Sequence, residues 1–130
     1  MRAPSSAGEL LAGFLPSAAS TTASMGPWQL YRPASSSSGT RTVSPPAAGF
    51  DAELVEARLP SGADIAYAAP GVQGLEQHIW VLDGVLELTV EGSTHRLTRG
   101  DCLRFRLFGP TRFRAPAKGG AHYALVVCRP

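Results

Sequence analysis

The stretch from residue 74 to 115 constrains the fold more than any other part of the chain. Between Val85 and Glu91 apolar and polar residues alternate, so Leu86, Leu88 and Val90 share one face of a half-buried strand. Turn-forming pairs interrupt the stretch about every eight to nine residues, a spacing typical of an antiparallel sandwich or barrel. These pairs are Asp83-Gly84, Glu91-Gly92, Arg99-Gly100 and Gly109-Pro110.

The pattern continues on both sides of this stretch and predicts an all-β fold. No helical pattern separates the strands, which favours antiparallel hairpins over parallel strand–helix–strand units. A double-sheet jelly roll, or double-stranded β-helix, accommodates such a set of short strands. The predicted strands are Glu53–Leu59, Ile65–Ala68, Leu75–Leu82, Val85–Val90, Ser93–Leu97, Cys102–Arg106, Thr111–Ala115 and His122–Cys128.

The first forty residues differ in composition from the rest. Residues 1–15 carry a short apolar stretch that predicts either a helical remnant or a frayed tail. Residues 16–40 are rich in Pro, Ser, Ala, Thr and Gly, which is typical of a linker or arm. Trp28–Tyr31 and Arg41–Val43 contain strand-forming residues and are predicted to lie against the barrel as edge strands. We therefore predict one barrel domain over residues 41–130, preceded by an extended N-terminal arm.

Composition disfavours several classes of protein. The formal net charge of +2 does not by itself argue for nucleic-acid binding. Two cysteines, Cys102 and Cys128, are too few for a disulfide scaffold and predict reduced thiols in a cytoplasmic protein, although their approach to one another stays open. No long apolar run predicts a membrane span. A signal peptide is disfavoured because Glu9 adjoins a short apolar patch.

Two groups of residues resemble the motifs of the cupin family of small β-barrels. The sequence WVLDG at residues 80–84, followed by LEL at 86–88, is similar to the first cupin motif. Three further groups are similar to the second cupin motif: RGD at 99–101, the Gly-Pro pair at 109–110 and FR at 113–114. The resemblance covers roughly residues 40–130 and implies a cupin barrel, a fold that hosts many functions.

Two further runs resemble a particular group of cupins. PGVQGLEQH at residues 70–78 and GDCLRF at 100–105 are similar to the C-terminal sensor domain of helix-turn-helix regulators of the phage-repressor (XRE) type. The resemblance implies that the apolar stretch at 7–15 could be the last helix of a DNA-binding domain that is otherwise absent from this chain.

The resemblance also implies where a metal would be bound, and there the sequence departs from the family. Cupins usually supply two His and a Glu from the first motif and a His from the second. At the four matching positions this sequence has Gly71, Gln73, Gln77 and Thr111. The histidines themselves, His78, His95 and His122, lack the strand spacing that would aim two rings at one ion. We therefore expect no metal and no other cofactor.

No catalytic residues are predicted. The sequence has neither a Gly-x-Ser-x-Gly elbow nor a phosphate-binding loop. Cys102 follows Asp101 with no base placed beside it by sequence, which disfavours a nucleophilic role.

A pocket without a metal is the remaining candidate site. Apolar walls with a few polar groups are typical of a small-molecule site, although the same side chains could simply fill the core. The alternation places these groups on inward faces, with two polar side chains at the former metal end. The predicted ligand-binding residues are Gln77, Thr111, Ile79, Val81, Leu103, Phe105 and Phe113.

Four arginines form the second candidate surface. Arg104 and Arg106 share one face of their predicted strand, as do Arg112 and Arg114 of the next. If the two strands pair, the four guanidinium groups lie together on the outside of a hairpin. Such a face could bind an anion, a partner or a DNA backbone, or could simply be solvated.

Together these features predict a non-enzymatic, metal-free sensor domain of a bacterial transcriptional regulator. Its expected partners are an unknown small-molecule effector and a second copy in a homodimer whose N-terminal arm crosses or seals a sheet. DNA is expected as a partner only through the missing helix-turn-helix domain. The alternatives are a cupin metalloenzyme (isomerase, epimerase or dioxygenase) with unusual ligands, and a structural dimerisation barrel.

Overall fold

The structure of the protein is a computed structural model that describes residues 21–25, 28–33, 35 and 39–130. Every regular element in these ranges is a β-strand, and none of the described segments forms a helix suited to crossing a membrane. The stretch at 7–15 lies outside the described residues. The strands are β1 (Thr21–Met25), β2 (Trp28–Arg32), β3 (Gly39–Ser44), β4 (Ala52–Leu59), β5 (Asp64–Tyr67), β6 (Leu75–Val90), β7 (Ser93–Thr98), β8 (Cys102–Leu107), β9 (Thr111–Arg114) and β10 (Ala121–Cys128).

Strands β3 to β10 form one continuous antiparallel array that divides into two sheets. Sheet I has the order β3-β4-β10-β6-β8 and uses the first half of β6. Sheet II has the order β7-β6-β9-β5 and uses the second half of β6. The predicted all-β jelly-roll barrel is confirmed.

Strand β6 joins the two sheets, and one of the predicted turns is wrong because it lies within this strand. It is 16 residues long, and Asp83-Gly84, predicted as a turn between two strands, lies within it. Gly84 has a φ of 79°, and the register against β10 shifts at this point, between His122 and Tyr123. The strand therefore bends and changes sheets instead of reversing, because each half of β6 pairs with other strands on both of its sides.

Aromatic side chains connect the inner faces of the two sheets. The rings of Phe113 from sheet II and Tyr123 from sheet I are stacked, with centroids 5.8 Å apart and an interplanar angle of 17°. Tyr67 meets the edge of Phe113 at 5.7 Å. Phe113 and Tyr123 are both buried, as are the alternate residues of β4 and β10 around them. The core thus occupies the space between the sheets.

The N-terminal strands differ in their pairing. Gly39–Ser44 is an edge strand of sheet I, as predicted for Arg41–Val43. Trp28–Tyr31, predicted as a second edge strand of the barrel, instead belongs to β2 and pairs with β1 in a separate two-stranded sheet. Composition assigned residues 21–25 to a linker, although Thr21 and Thr22 favour an extended chain and so provide a local partner for β2.

The two cysteines are free and lie on strands on either side of β6. Cys102 is opposite Trp80 and Cys128 is opposite Glu76, four positions away along the same strand. Four positions correspond to roughly 13 Å, which is too far for a disulfide without backbone movement. Burial, together with Glu76 and Asp51, raises the pKa of the Cys128 thiol.

An ionic cluster holds edge strand β3 to the rest of sheet I. The Glu56 carboxylate on β4 accepts hydrogen bonds from Arg41 Nε at 2.5 Å and from His122 Nε2 at 2.8 Å, and Arg58 lies 3.8 Å away. Burial opposes the charge on Glu56. The hydrogen bonds from His122 and Arg41 outweigh burial and keep the pKa of this carboxyl below its ordinary value.

This cluster predicts a stability difference that depends on pH. Because the pKa of Glu56 is lowered in the native state, its contribution is present above the ordinary value of 4.5 and is lost as pH falls through the native pKa. Glu56→Gln should lower the free energy of unfolding by about 1 kcal/mol at neutral pH, with the difference from wild type shrinking in acid. Urea unfolding at a series of pH values measures this. The exposed Glu91→Gln control should show a smaller difference, and a Glu56→Gln difference that grows in acid would contradict the prediction.

Candidate functional site

Gln77 is a polar residue on the largely apolar inner face of sheet I. It stands opposite Val127 of β10 on one side and Phe105 of β8 on the other. Its side chain is buried, with 6% of its surface exposed, and Ile79 and Val81 on the same face of β6 are completely buried. Alternation along β6 therefore produces the predicted inward orientation of all three residues.

Thr111 occupies the corresponding position in sheet II. It begins β9, between Val90 of β6 and Tyr67 of β5, and is 7% exposed. Phe113, two residues further along the same face, is buried in the core. The second half of the predicted site is thus also directed inward.

Two connections place Gln77 and Thr111 at the same end of the barrel. Residues 68–74 lead from Tyr67, the partner of Thr111, to Leu75 at the start of β6. Residues 108–110 lead from β8 to Thr111, and Gly74 N donates to the carbonyl oxygen of Leu107 at 2.8 Å. We call this region, with the buried residues Glu53, Gln77 and Thr111 and the partly buried Tyr67, the polar end.

The seven predicted ligand residues differ in their surroundings. Gln77, Thr111, Ile79, Val81 and Phe113 are buried. Leu103 and Phe105 are partly buried and pack against the core, and Phe105 also lines a cleft on the outside of sheet I. The structure brings the seven together on the inner faces of the sheets, and their role in ligand binding stays a prediction.

Glu53 is a buried carboxylate of the polar end that was not among the predicted site residues. It lies on the inner face of β4, with Val127 between it and Gln77 across sheet I. Only 5% of it is exposed, and it lines a small cavity of about 10 Å³, roughly the space of one water molecule. Its sequence parity with Val55, Ala57 and Leu59 could have identified it, because charged residues rarely share the buried face of a strand.

Two tyrosines add phenol groups to the interior. Burial raises the pKa of Tyr67, and burial together with the charge of Tyr67 raises that of Tyr123. Both phenols are therefore neutral at physiological pH and can act as hydrogen-bond donors to a bound group.

The donors at the polar end do not fit the transition metal implied by the cupin resemblance. They comprise one carboxylate, one amide, one hydroxyl and a phenol whose ionisation burial disfavours. Such a set lacks the imidazole or thiolate ligands that hold these ions. The other two positions that match the family's metal ligands, Gly71 and Gln73, are exposed in the connection before β6.

The histidines do not supply the missing ligands. His78 and His122 hydrogen-bond to Glu76 (2.7 Å) and Glu56 (2.8 Å), and His95 is exposed on β7. Within residues 39–130 and the shorter described segments, no three His, Cys, Asp or Glu side chains are grouped to hold a metal ion.

The predicted four-arginine hairpin is wrong. Strands β8 and β9 are consecutive, but they pair with different halves of β6 and so belong to different sheets. Arg104 and Arg106 lie outside sheet I, where Arg106 approaches Glu76 to 3.8 Å. Arg112 in sheet II donates to both carboxylate oxygens of Asp64 and keeps the pKa of that carboxyl below its ordinary value. The positive charge is thus split between two faces and partly neutralised.

Comparison with solved structures identifies the fold as that of a cupin domain. A cupin protein from Bacteroides fragilis superposes with a TM-score of 0.61 at 19% identity, over 74% of this chain and 80% of that one. No protein-family model and no curated protein sequence matches the chain.

Two further matches come from transcriptional regulators. The Cupin_2 domain of an XRE family regulator from Enterobacter cloacae has a TM-score of 0.65 at 21% identity, covering 70% of this chain and 95% of that domain. An HTH_3 family regulator from Vibrio cholerae has a TM-score of 0.65 at 24% identity over 71% of this chain. The chain spans 51% of that regulator's length. The predicted resemblance to the cupin domains of such regulators is confirmed at the level of the fold.

Proposed function

We propose that this chain is a metal-free ligand-sensing domain of a bacterial transcriptional regulator. The observation that carries the proposal is the burial of two hydrogen-bonding side chains, Gln77 and Thr111, at one end of a largely apolar barrel. Buried polar groups require partners, and a bound molecule can provide them. The similarity in fold to cupin domains of two regulators supports the regulatory context.

The chemistry of the polar end suggests the kind of effector. Gln77 and Thr111 can both donate and accept hydrogen bonds, so they suit a neutral polar group. The surrounding side chains of Ile79, Val81 and Phe113 suit an apolar body. We therefore propose a small, partly apolar effector with one or two polar atoms directed at Gln77 and Thr111.

Thr111→Val tests this site, because valine keeps the shape of threonine and removes the hydroxyl. An effector is first identified by thermal-shift screening of small metabolites, and its affinity is then measured by calorimetric titration. The variant should bind it more weakly by about 1 kcal/mol or more, with little change in the melting temperature. Thr40→Val is a matched control, since Thr40 is also buried, with 7% exposed, but lies on β3.

Three outcomes would contradict the proposal. Equal affinity of wild type and Thr111→Val for the effector would show that the Thr111 hydroxyl does not contact it. Zinc, iron or manganese bound near one ion per chain, with catalytic turnover, would favour a metalloenzyme. A barrel that binds no small molecule and only associates with itself would favour the structural role.

The proposal includes a cytoplasmic homodimer that contacts DNA only through a separate helix-turn-helix domain. In a dimer, the arm that contains β1 and β2 would cover an exposed sheet edge. Light scattering at tens of micromolar should give the mass of a dimer, and a monomer mass would contradict this part of the proposal.

A further inference from the structure

A second cleft lies outside the barrel, between β2 and the connection from β3 to β4. Its volume is about 480 Å³, which is within the range of small-molecule sites. Three aromatic residues, Trp28, Tyr31 and Phe50, line it. Trp28 is 74% exposed and Phe50 is 52% exposed. Large aromatic surface is therefore available to a ligand.

The wall that carries Phe50 is held by hydrogen bonds. Phe50 N donates to the carbonyl oxygen of Ala47 at 3.1 Å, which closes a turn in the β3–β4 connection. Arg129 donates through its side chain to the carbonyl oxygen of Phe50 at 3.2 Å and through its backbone to that of Asp51 at 3.1 Å. These bonds fix the backbone of Phe50 and Asp51 before any ligand arrives.

The charge of the cleft restricts the ligand. Asp51 is the one charged residue among the described residues that line it, and it forms no ion pair within the described part of the chain. Arg129 is not among the described residues that line the cleft; it lines an adjoining small cavity that shares Phe50 and Asp51 with it. An anionic ligand is therefore disfavoured here, and a cation is favoured.

Aromatic faces combined with a carboxylate suit one class of cation in particular. The faces of Trp, Tyr and Phe attract cations through their quadrupoles, and quaternary ammonium groups are recognised in this way because their methyl groups also bury apolar surface. We propose that the cleft bounded by Trp28, Tyr31, Phe50 and Asp51 binds a small quaternary ammonium compound. This site does not include Gln77 or Thr111 and does not depend on the effector proposed for them.

The chain's own tryptophans provide the measurement. It contains two, so the Trp80→Phe variant leaves Trp28 as the only indole that reports. Choline should change the Trp28 emission saturably, at millimolar or lower concentrations. The neutral isostere 3,3-dimethylbutan-1-ol, which replaces the ammonium nitrogen with carbon, should bind at least about fivefold more weakly. Equal binding of the two probes, or a linear response to choline, would overturn the proposal.

Substitutions in this background locate the site. Asp51→Asn and Phe50→Leu should each weaken choline binding by about fivefold or more. Asp83→Asn and Phe108→Leu remove an equivalent charge and an equivalently exposed ring elsewhere, and should leave choline binding unchanged. Circular dichroism verifies that each variant is folded. Folded Asp51→Asn and Phe50→Leu proteins with unaltered choline affinity would also overturn the proposal.

Discussion

Replacing Gly84 with alanine is expected to lower the free energy of unfolding by more than about 3 kcal/mol, or to prevent folding altogether. A Cβ atom at this position would lie 2.0 Å from the carbonyl oxygen of Gly120. That oxygen belongs to backbone and accepts a hydrogen bond from Val85 N at 3.3 Å, so it cannot move without breaking the bend in β6. The φ of 79° adds strain for any residue with a Cβ.

Substitutions at two other glycines separate the effect of backbone crowding from that of the positive φ. Gly92 has a φ of 82° and no atom within 4 Å of the place that a Cβ would occupy, so Gly92→Ala should cost only about 1–2 kcal/mol. At Gly120 a Cβ would lie 2.3 Å from the carbonyl oxygen of Leu59, so Gly120→Ala tests backbone crowding. Urea unfolding monitored by circular dichroism measures all three. A Gly84→Ala loss no larger than that of Gly92→Ala would show that the contact with Gly120 does not constrain the bend.

Phe113→Ala is the second substitution with a large expected effect, about 3–5 kcal/mol of unfolding free energy. The Phe113 ring is 4% exposed and contacts Tyr67 from its own sheet and Tyr123 from the other. Its removal would leave a cavity between the sheets and remove both aromatic contacts. Phe108→Ala is the control, because Phe108 is 49% exposed and should cost about 0.5 kcal/mol or less. Urea unfolding of the two variants gives the comparison.

The result for Phe113 also bears on the proposed effector site. A side chain that only lines an open pocket contributes little to stability, whereas one that fills the core contributes several kcal/mol. A loss under about 1 kcal/mol for Phe113→Ala would contradict its core role and favour an open site around it. A large loss would direct the search for the effector towards Gln77 and Thr111.

Local patterns predicted the strands well because alternation is a property of each strand by itself. Leu86 and Leu88 are completely buried on the face that their spacing predicts. Glu91-Gly92 forms the predicted hairpin turn between β6 and β7. Asp83-Gly84 has the same residue chemistry as a hairpin turn, and only the pairing of β6 with distant strands shows that it is a bend.

Pairing between strands could not be predicted in the same way. The outward parity of Arg104 and Arg112 is correct, but parity does not determine which strand lies beside which. The hairpin of four arginines failed for this reason. The partnership of Arg112 with Asp64 spans 48 residues and depends on the β5–β9 register, which no local pattern encodes.

The positions of the candidate site residues could be predicted from the sequence, but the ligand that they would bind could not. Parity and the cupin resemblance together placed Gln77 and Thr111, and both are buried at one end of the barrel. The alternation in β4 indicates that Glu53 is buried, but it does not indicate that Glu53 lies near Gln77. That arrangement depends on Val127 of β10, which pairs with both residues and is distant from them in the sequence. The identity of a ligand depends on the arrangement of such groups in space, which parity does not give.

The position of β10 has a consequence for synthesis on the ribosome. Strand β10 lies between β4 and β6 in sheet I, yet it follows both of them in the chain. A nascent chain therefore exposes the facing edges of β4 and β6 before the strand that separates them has been translated. Contacts of such long sequence separation form slowly, and unpaired strand edges favour aggregation. Sheet I is consequently completed only after β10 has emerged, and until then the facing edges of β4 and β6 are open to mispairing.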